Sequence, residues 1–179
     1  IAIYFLSFSL QAQNIKQSSD DFTSASSSNS IGKYTGFAEI GYTHGVGEFG
    51  VNVLEINIIN GFQVTPYLVA GLGTGARYFY VYEGTLVPIF AELRFVYPHW
   101  KLAPFLVFDL GYSIDVFNHF KGMGMMVNPS AGVSYELSRG SRIFLEAGYE
   151  MQQLQLNYSN GATKNVNAAG IGLVLGFTF

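Results

Sequence analysis

The sequence predicts an all-β fold: a transmembrane, antiparallel up-and-down β-barrel of eight strands. Three observations carry that expectation. First, 49% of the 179 residues are hydrophobic and only 12% are charged, about half the charge of a soluble domain. No internal run reaches the roughly 18 apolar residues of a membrane helix. The other backbone that satisfies its own N–H and C=O groups in a bilayer is a closed barrel. Second, 21 Gly, 12 Tyr and 16 Phe suit strands and thin barrel walls better than helices. Third, from Lys33 onward apolar and polar residues alternate with a period of two between turn signals.

Residues 1–12 read as a signal-peptide remnant. Ile1–Leu10 is apolar, and Gln11-Ala12-Gln13 places a small residue where a signal peptidase could cut. A first strand is the alternative reading. Residues 13–32 are rich in Ser, Asp and Asn and are expected to form a flexible periplasmic leader. The barrel then occupies 33–179. Its eight runs are Tyr34–Thr43, Phe49–Asn60, Pro66–Tyr80, Pro88–Tyr97, Pro104–Val116, Met125–Leu137, Arg142–Leu154 and Val166–Phe179. Each is near the 9–11 residues that a tilted strand needs to cross a bilayer.

An even strand count puts both termini on one side, assigned to the periplasm. The short connections Gly61–Thr65, Pro98–Ala103 and Ser138–Ser141 belong there. The set outside is His44–Glu48, Val81–Val87, Phe117–Gly124 and Gln155–Asn165. Pro66, Pro88 and Pro104 stand at strand starts, where a missing N–H is tolerated. Pro129 falls inside the sixth run and predicts a bulge.

Sorting by parity gives two faces. In the fifth run Leu106, Phe108, Leu110, Tyr112 and Ile114 oppose Asp109, Gly111, Ser113 and Asp115. In the eighth, Ile171, Leu173, Leu175, Phe177 and Phe179 oppose Gly170, Gly172, Val174, Gly176 and Thr178. A soluble lipocalin-like barrel would put the apolar face inside. Three features favour the membrane arrangement, with the polar face inside. The polar faces carry Arg, Glu and Asp but no Lys, as a packed ionic interior prefers the forked guanidinium. They are thinned by glycines such as Gly71, Gly73 and Gly75. Aromatics gather toward the run ends: Tyr67, Tyr97, Trp100, Tyr135 and Phe179 at one rim, Tyr42, Tyr78, Tyr80, Tyr82, Phe117 and Tyr149 at the other.

Several stretches resemble the outer membrane protein β-barrel family common in Bacteroidetes. They are Asn57-Ile58-Ile59-Asn60-Gly61-Phe62-Gln63, Gly71–Arg77, Pro88–Arg94, Asp109-Leu110-Gly111-Tyr112 and Asn128–Val133. The resemblance spans Tyr34 to Phe179. It implies an OmpA/OmpX-like fold in the outer membrane of a Gram-negative bacterium, but no activity.

The expected site is an ionic network on the inner face: Glu39, Glu55, Arg77, Glu92, Arg94, Asp109, Asp115, Glu136, Arg142, Glu146 and Glu150. Eight acids face three arginines, each expected at mid-barrel with at least two acids. An eight-stranded interior is narrow enough for side chains to fill, so a closed plug is expected, with a narrow ion channel as the alternative. Phe177 and Phe179 resemble the C-terminal signal read by the barrel assembly machinery. The other expected partners are outer-membrane lipids, lipopolysaccharide and other outer-membrane proteins, in a larger complex. Net charge is −3 with no basic patch, against nucleic acid.

No cofactor or metal site is expected. Gly71-x-Gly73-x-Gly75 lacks the spacing and context of a phosphate cradle, and the chain has no cysteine. A lipid A-modifying enzyme is the third reading. Such barrels use a His with Ser and an acid near the outer leaflet. His44 and His119 are expected in outer loops, but His44 precedes Gly45-Val46 and His119 precedes Phe120-Lys121, without the His-x-Ser pattern. His99 is expected in a turn beside Trp100. The polar loop around Tyr158 could meet a partner surface.

Overall fold

The computed structural model describes residues 32–80, 84–97, 101–116, 121–138, 140–157 and 163–179. The signal-peptide remnant, nearly all of the leader, Tyr82, His99, Trp100, Phe117, His119 and Tyr158 lie outside them.

Eight antiparallel strands close into a barrel in chain order: β1 (Tyr34–Val46), β2 (Val53–Thr65), β3 (Leu68–Phe79), β4 (Gly84–Val96), β5 (Leu102–Asp115), β6 (Lys121–Ser138), β7 (Ser141–Asn157) and β8 (Thr163–Thr178). Closure is made by β1 against β8, from Phe37 opposite Thr178 to Val46 opposite Ala169. Gly36 and Phe179 extend it by exchanging two backbone hydrogen bonds of 2.8 and 2.9 Å. No sheet edge is left for another chain to pair with. Both termini of the barrel lie at one end, called here the terminal rim.

Period two decides the faces as the sequence does. On β8, Ile171, Leu173 and Leu175 are 56–60% exposed, while Gly170, Gly172 and Gly176 are buried. β5 and β7 repeat the pattern. The exposed apolar residues encircle the barrel. Such a belt far exceeds the few hundred Å2 patch of a soluble monomer, whereas lipid accepts it. Two polar groups on this face are satisfied locally. Thr74 Oγ1 donates to the Pro88 carbonyl at 2.9 Å, and Tyr34 Oη donates to Asn60 Oδ1 at 2.7 Å. Near the terminal rim Tyr67 stacks on Tyr97, and Phe177 on Phe179. Tyr78 and Tyr80 meet edge to face toward the opposite rim.

Most strand boundaries differ from the sequence reading: β4, β6 and β8 begin earlier than expected, at Gly84, Lys121 and Thr163, and β7 runs on to Asn157. Gly61–Thr65 is strand rather than turn, and the reversal is the pair Pro66-Tyr67. There Tyr67 N donates to Thr65 Oγ1 and Gln63 Nε2 to the Pro66 carbonyl, each at 3.2 Å. Pro66 is therefore a turn residue. His44 lies in β1, which runs on to Val46. The first connection is Gly47–Asn52, with Gly47 in the left-handed region at φ +82°. Pro88 sits inside β4, fully buried. Lacking an N–H, it interrupts the β3–β4 ladder between the pairs Thr74–Ile89 and Arg77–Leu86, without a change of register. Pro129 behaves alike: the β6–β7 register is the same on both sides of it. The bulges of β6 lie instead beside Gly124, at φ +138°, and between Glu136 and Ser138. A Pro can be absorbed by losing one hydrogen bond, whereas an inserted residue must find room.

Candidate functional site: an ionic lumen

The inner face carries two charge clusters. Arg94, on β4, is 2% exposed. Its Nε donates to Glu92 Oε1 at 2.7 Å, and its Nη2 donates to Glu39 Oε1 at 2.7 Å; Glu146 Oε2 lies 3.6 Å away. Glu92 is two residues earlier on the same strand, so period two delivers that pair. Glu39 and Glu146 reach in from β1 and β7, across the lumen. Ser130 Oγ donates to Glu146 Oε1 at 2.5 Å and holds that carboxylate in place. The guanidinium carbon also lies over three rings: 4.2 Å from the centroid of Phe37, 4.6 Å from Phe144 and 4.9 Å from Phe105.

Arg77, on β3, is the second centre, also 2% exposed. Its Nη2 donates to Glu150 Oε1 at 2.6 Å and forms an ion pair with Glu55 Oε2 at 3.0 Å. Glu55 is its register partner on β2. Oriented with its oxygen toward Arg77, the Asn128 amide accepts from Nη2 at 3.0 Å. Between the two centres is a cavity of about 30 Å3, lined by Glu39, Glu55, Asp109, Glu146 and Glu150 with Asn57. It has room for about two water molecules. Asp109 stands opposite Glu92 in the register. Among the described residues, its Oδ1 and Asn57 Oδ1 are buried without a hydrogen-bond partner.

Arg142 departs from the expectation of a mid-barrel position. It is the second residue of β7 and half-buried at the terminal rim. Its register partner Glu136 lies at 3.5 Å, and its Nε donates to Ser134 Oγ at 3.0 Å. The reason is topological: a residue next to a two-residue turn cannot reach the barrel centre. Asp115 ends β5 at the opposite rim, buried. The eleven expected residues thus divide into two central clusters that flank Asp109, one rim pair and one acid at the far rim.

The sequence reading missed an apolar stratum inside the lumen. Phe37, Phe105 and Phe144, with Val69 and Val96, line a cavity of about 260 Å3 that opens at the terminal rim. A second apolar cluster, including Val53, Phe79, Leu86, Leu154 and Val166, closes the other end. The charges therefore lie between two apolar clusters, and Arg94 itself lines the inner end of the open cavity. A signal was present: Phe37-Ala38-Glu39, Phe90-Ala91-Glu92 and Phe144-Leu145-Glu146 each put a ring and an acid on one inner stripe.

Phe177 and Phe179 face outward, 38% and 51% exposed. The Phe179 ring covers Gly36, where any β-carbon would collide with it. His44 also faces outward, opposite Ile171 on β8, whose other register partner is Tyr149. Neither neighbour is a Ser or an acid. Among the described residues, no group of His, Cys, Asp and Glu is arranged to hold a metal ion.

No protein-family model and no curated protein sequence matches the chain. Solved structures do. Neisserial surface protein A is similar with a TM-score of 0.57 and 15% identity, over 80% of this chain and 95% of that one. The N-terminal β-barrel domain of Pseudomonas aeruginosa OprF is similar with a TM-score of 0.51 and 17% identity, over 83% and 99%. The outer membrane enzyme PagL is similar with a TM-score of 0.51 and 9% identity, over 78% and 97%. At such identities the likeness is one of fold, and one fold hosts many functions. The chain has the fold of the small eight-stranded outer-membrane barrels.

Proposed function

We propose that the protein is a non-enzymatic structural or interaction component of the outer membrane of a Gram-negative bacterium. It sits there with both termini in the periplasm and its lumen closed to solutes. The observation that carries this reading is the packed middle of the barrel, inward of the open rim cavity. Arg77 and Arg94 are each held by at least two carboxylates, the space between them is about 30 Å3, and apolar layers lie on either side. Its chemistry would then lie on its surface, toward lipid, lipopolysaccharide and neighbouring outer-membrane proteins. The Bacteroidetes-type family and the role of Phe177 and Phe179 as an insertion signal belong to the same reading. PagL shares the fold as an enzyme; among the described residues, the register neighbours of His44 on β8 and β7 are Ile171 and Tyr149, neither of them a relay partner. The test is planar-bilayer recording of the purified barrel. No steady conductance is expected; a stable, cation-selective conductance would overturn the closed-lumen reading. The excess of lumen acids favours that outcome over an anion pore.

A further inference from the structure

We propose that the outer wall carries a binding site for an anionic glycerophospholipid where β4, β5 and β6 approach the terminal rim. The inference rests on the membrane-spanning reading above. An apolar groove of about 570 Å3 opens outward there, within the roughly 300–1,000 Å3 of small-ligand sites. Its relief follows from side-chain sizes. On one bank Phe95 and Tyr97 stand out from β4, and Tyr67 stacks on Tyr97 with ring centroids 6.5 Å apart. The floor is low: Pro104 on β5, and Ala131 on β6 with Ala147 as its β7 partner.

The adjoining turn supplies a charge. Lys101, exposed, sits in the β4–β5 turn three residues before Pro104. Its carbonyl accepts from Glu136 N at 2.9 Å and from Arg142 Nη2 at 3.2 Å, so the turn is fixed from two sides; Arg142 itself lines the lumen cavity, paired with Glu136, and leaves Lys101 as the cation of this site. A cation at the interface, beside an apolar channel along the wall, matches a phosphate headgroup and its acyl chain. A second copy of the chain fits less well. A twofold axis along the membrane normal keeps both copies of Lys101 at one depth and brings like charges together.

The test is native mass spectrometry of the full chain in detergent, titrated with phosphatidylglycerol or phosphatidylcholine, alongside reconstitution into vesicles of both lipids. One phosphatidylglycerol is expected to be retained in preference to phosphatidylcholine. Ala131→Trp fills the groove and is expected to weaken retention about tenfold, the loss of contact with about two methylenes. Ala131→Leu is a milder variant expected to act in the same direction. Lys101→Ala is expected to lower the preference for phosphatidylglycerol about fivefold while leaving phosphatidylcholine unchanged. Leu175→Trp, on the lipid face of β8, is expected to change neither. Insertion into vesicles with unselective lipid binding, indifferent to Ala131, would overturn the site alone. So would a dimer that Ala131→Trp dissolves. Failure to insert into vesicles would overturn the membrane reading and the site with it.

Discussion

Replacing Arg94 by Ala would remove the cation shared by Glu39, Glu92 and Glu146. Two of those carboxylates lie at 2.7 Å and the third at 3.6 Å, all on side chains at most 8% exposed. Deleting one partner of a buried ion pair costs about 3–5 kcal/mol, because the remaining charge stays desolvated. Here three carboxylates lose their partner together. The guanidinium also leaves the faces of Phe37, Phe105 and Phe144, contacts worth about 0.5–2 kcal/mol each. A loss of at least about 4 kcal/mol is expected, which would consume most of an ordinary domain's stability. Arg94→Lys is expected to recover less than half, since a compact ammonium cannot address separate carboxylates through a planar fork. The assay is reversible denaturant unfolding of the barrel in lipid vesicles, followed by far-UV circular dichroism and by gel mobility without heating. Arg142→Ala is the comparison. Its ion pair with Glu136 is solvated at the rim and contributes about 0–1 kcal/mol; with the bonds to Ser134 Oγ and the Lys101 carbonyl a loss of about 1–3 kcal/mol is expected, smaller than that of Arg94→Ala. Equal effects of the two substitutions would refute the reasoning, because they would mean that water reaches Arg94 as freely as Arg142.

Three further outcomes follow from the same geometry. Leu173→Arg, on the outward stripe of β8, is expected to destabilise the barrel in vesicles by about 2–4 kcal/mol if the stripe meets the bilayer midplane; a neutral effect would argue against lipid on that face. Gly73→Val places a side chain where its β-carbon would run into the Phe90 ring, and overpacking of about 1–3 kcal/mol is expected in the same unfolding assay. Phe179→Ala uncovers Gly36 but leaves the terminal backbone pairing in place. It is expected to lower the yield of assembled barrel in cells several-fold while changing refolded stability by less than about 1.5 kcal/mol; the reverse pattern would make Phe179 a packing residue and not a signal.

What the sequence made legible is what period two controls. A strand cannot shift by one residue without turning its whole apolar stripe into the lumen, so the faces of β5, β7 and β8 were readable from alternation. Boundaries were less so, because Gly61 and Pro88 signal breaks by composition although both lie inside strands, while closure sets where the chain reverses. The partners of the arginines divide along the same line. Glu92 with Arg94 follows from spacing along one strand, and Glu55 with Arg77 from hairpin register. Glu39 and Glu146 with Arg94, and Glu150 with Arg77, do not, since these contacts cross the lumen between strands far apart in the chain. The inner phenylalanines escaped for another reason. A lumen was expected to be polar, yet a closed barrel without a channel must fill its centre like any core. Phe37, Phe105 and Phe144 provide volume and rings for Arg94 to lie against. They also limit the water that would weaken its ion pairs. Removing the guanidinium would leave both the rings and the buried carboxylates without a partner, so Phe37, Phe105 and Phe144 and the acids around Arg94 are better read as one device than as a core and a site.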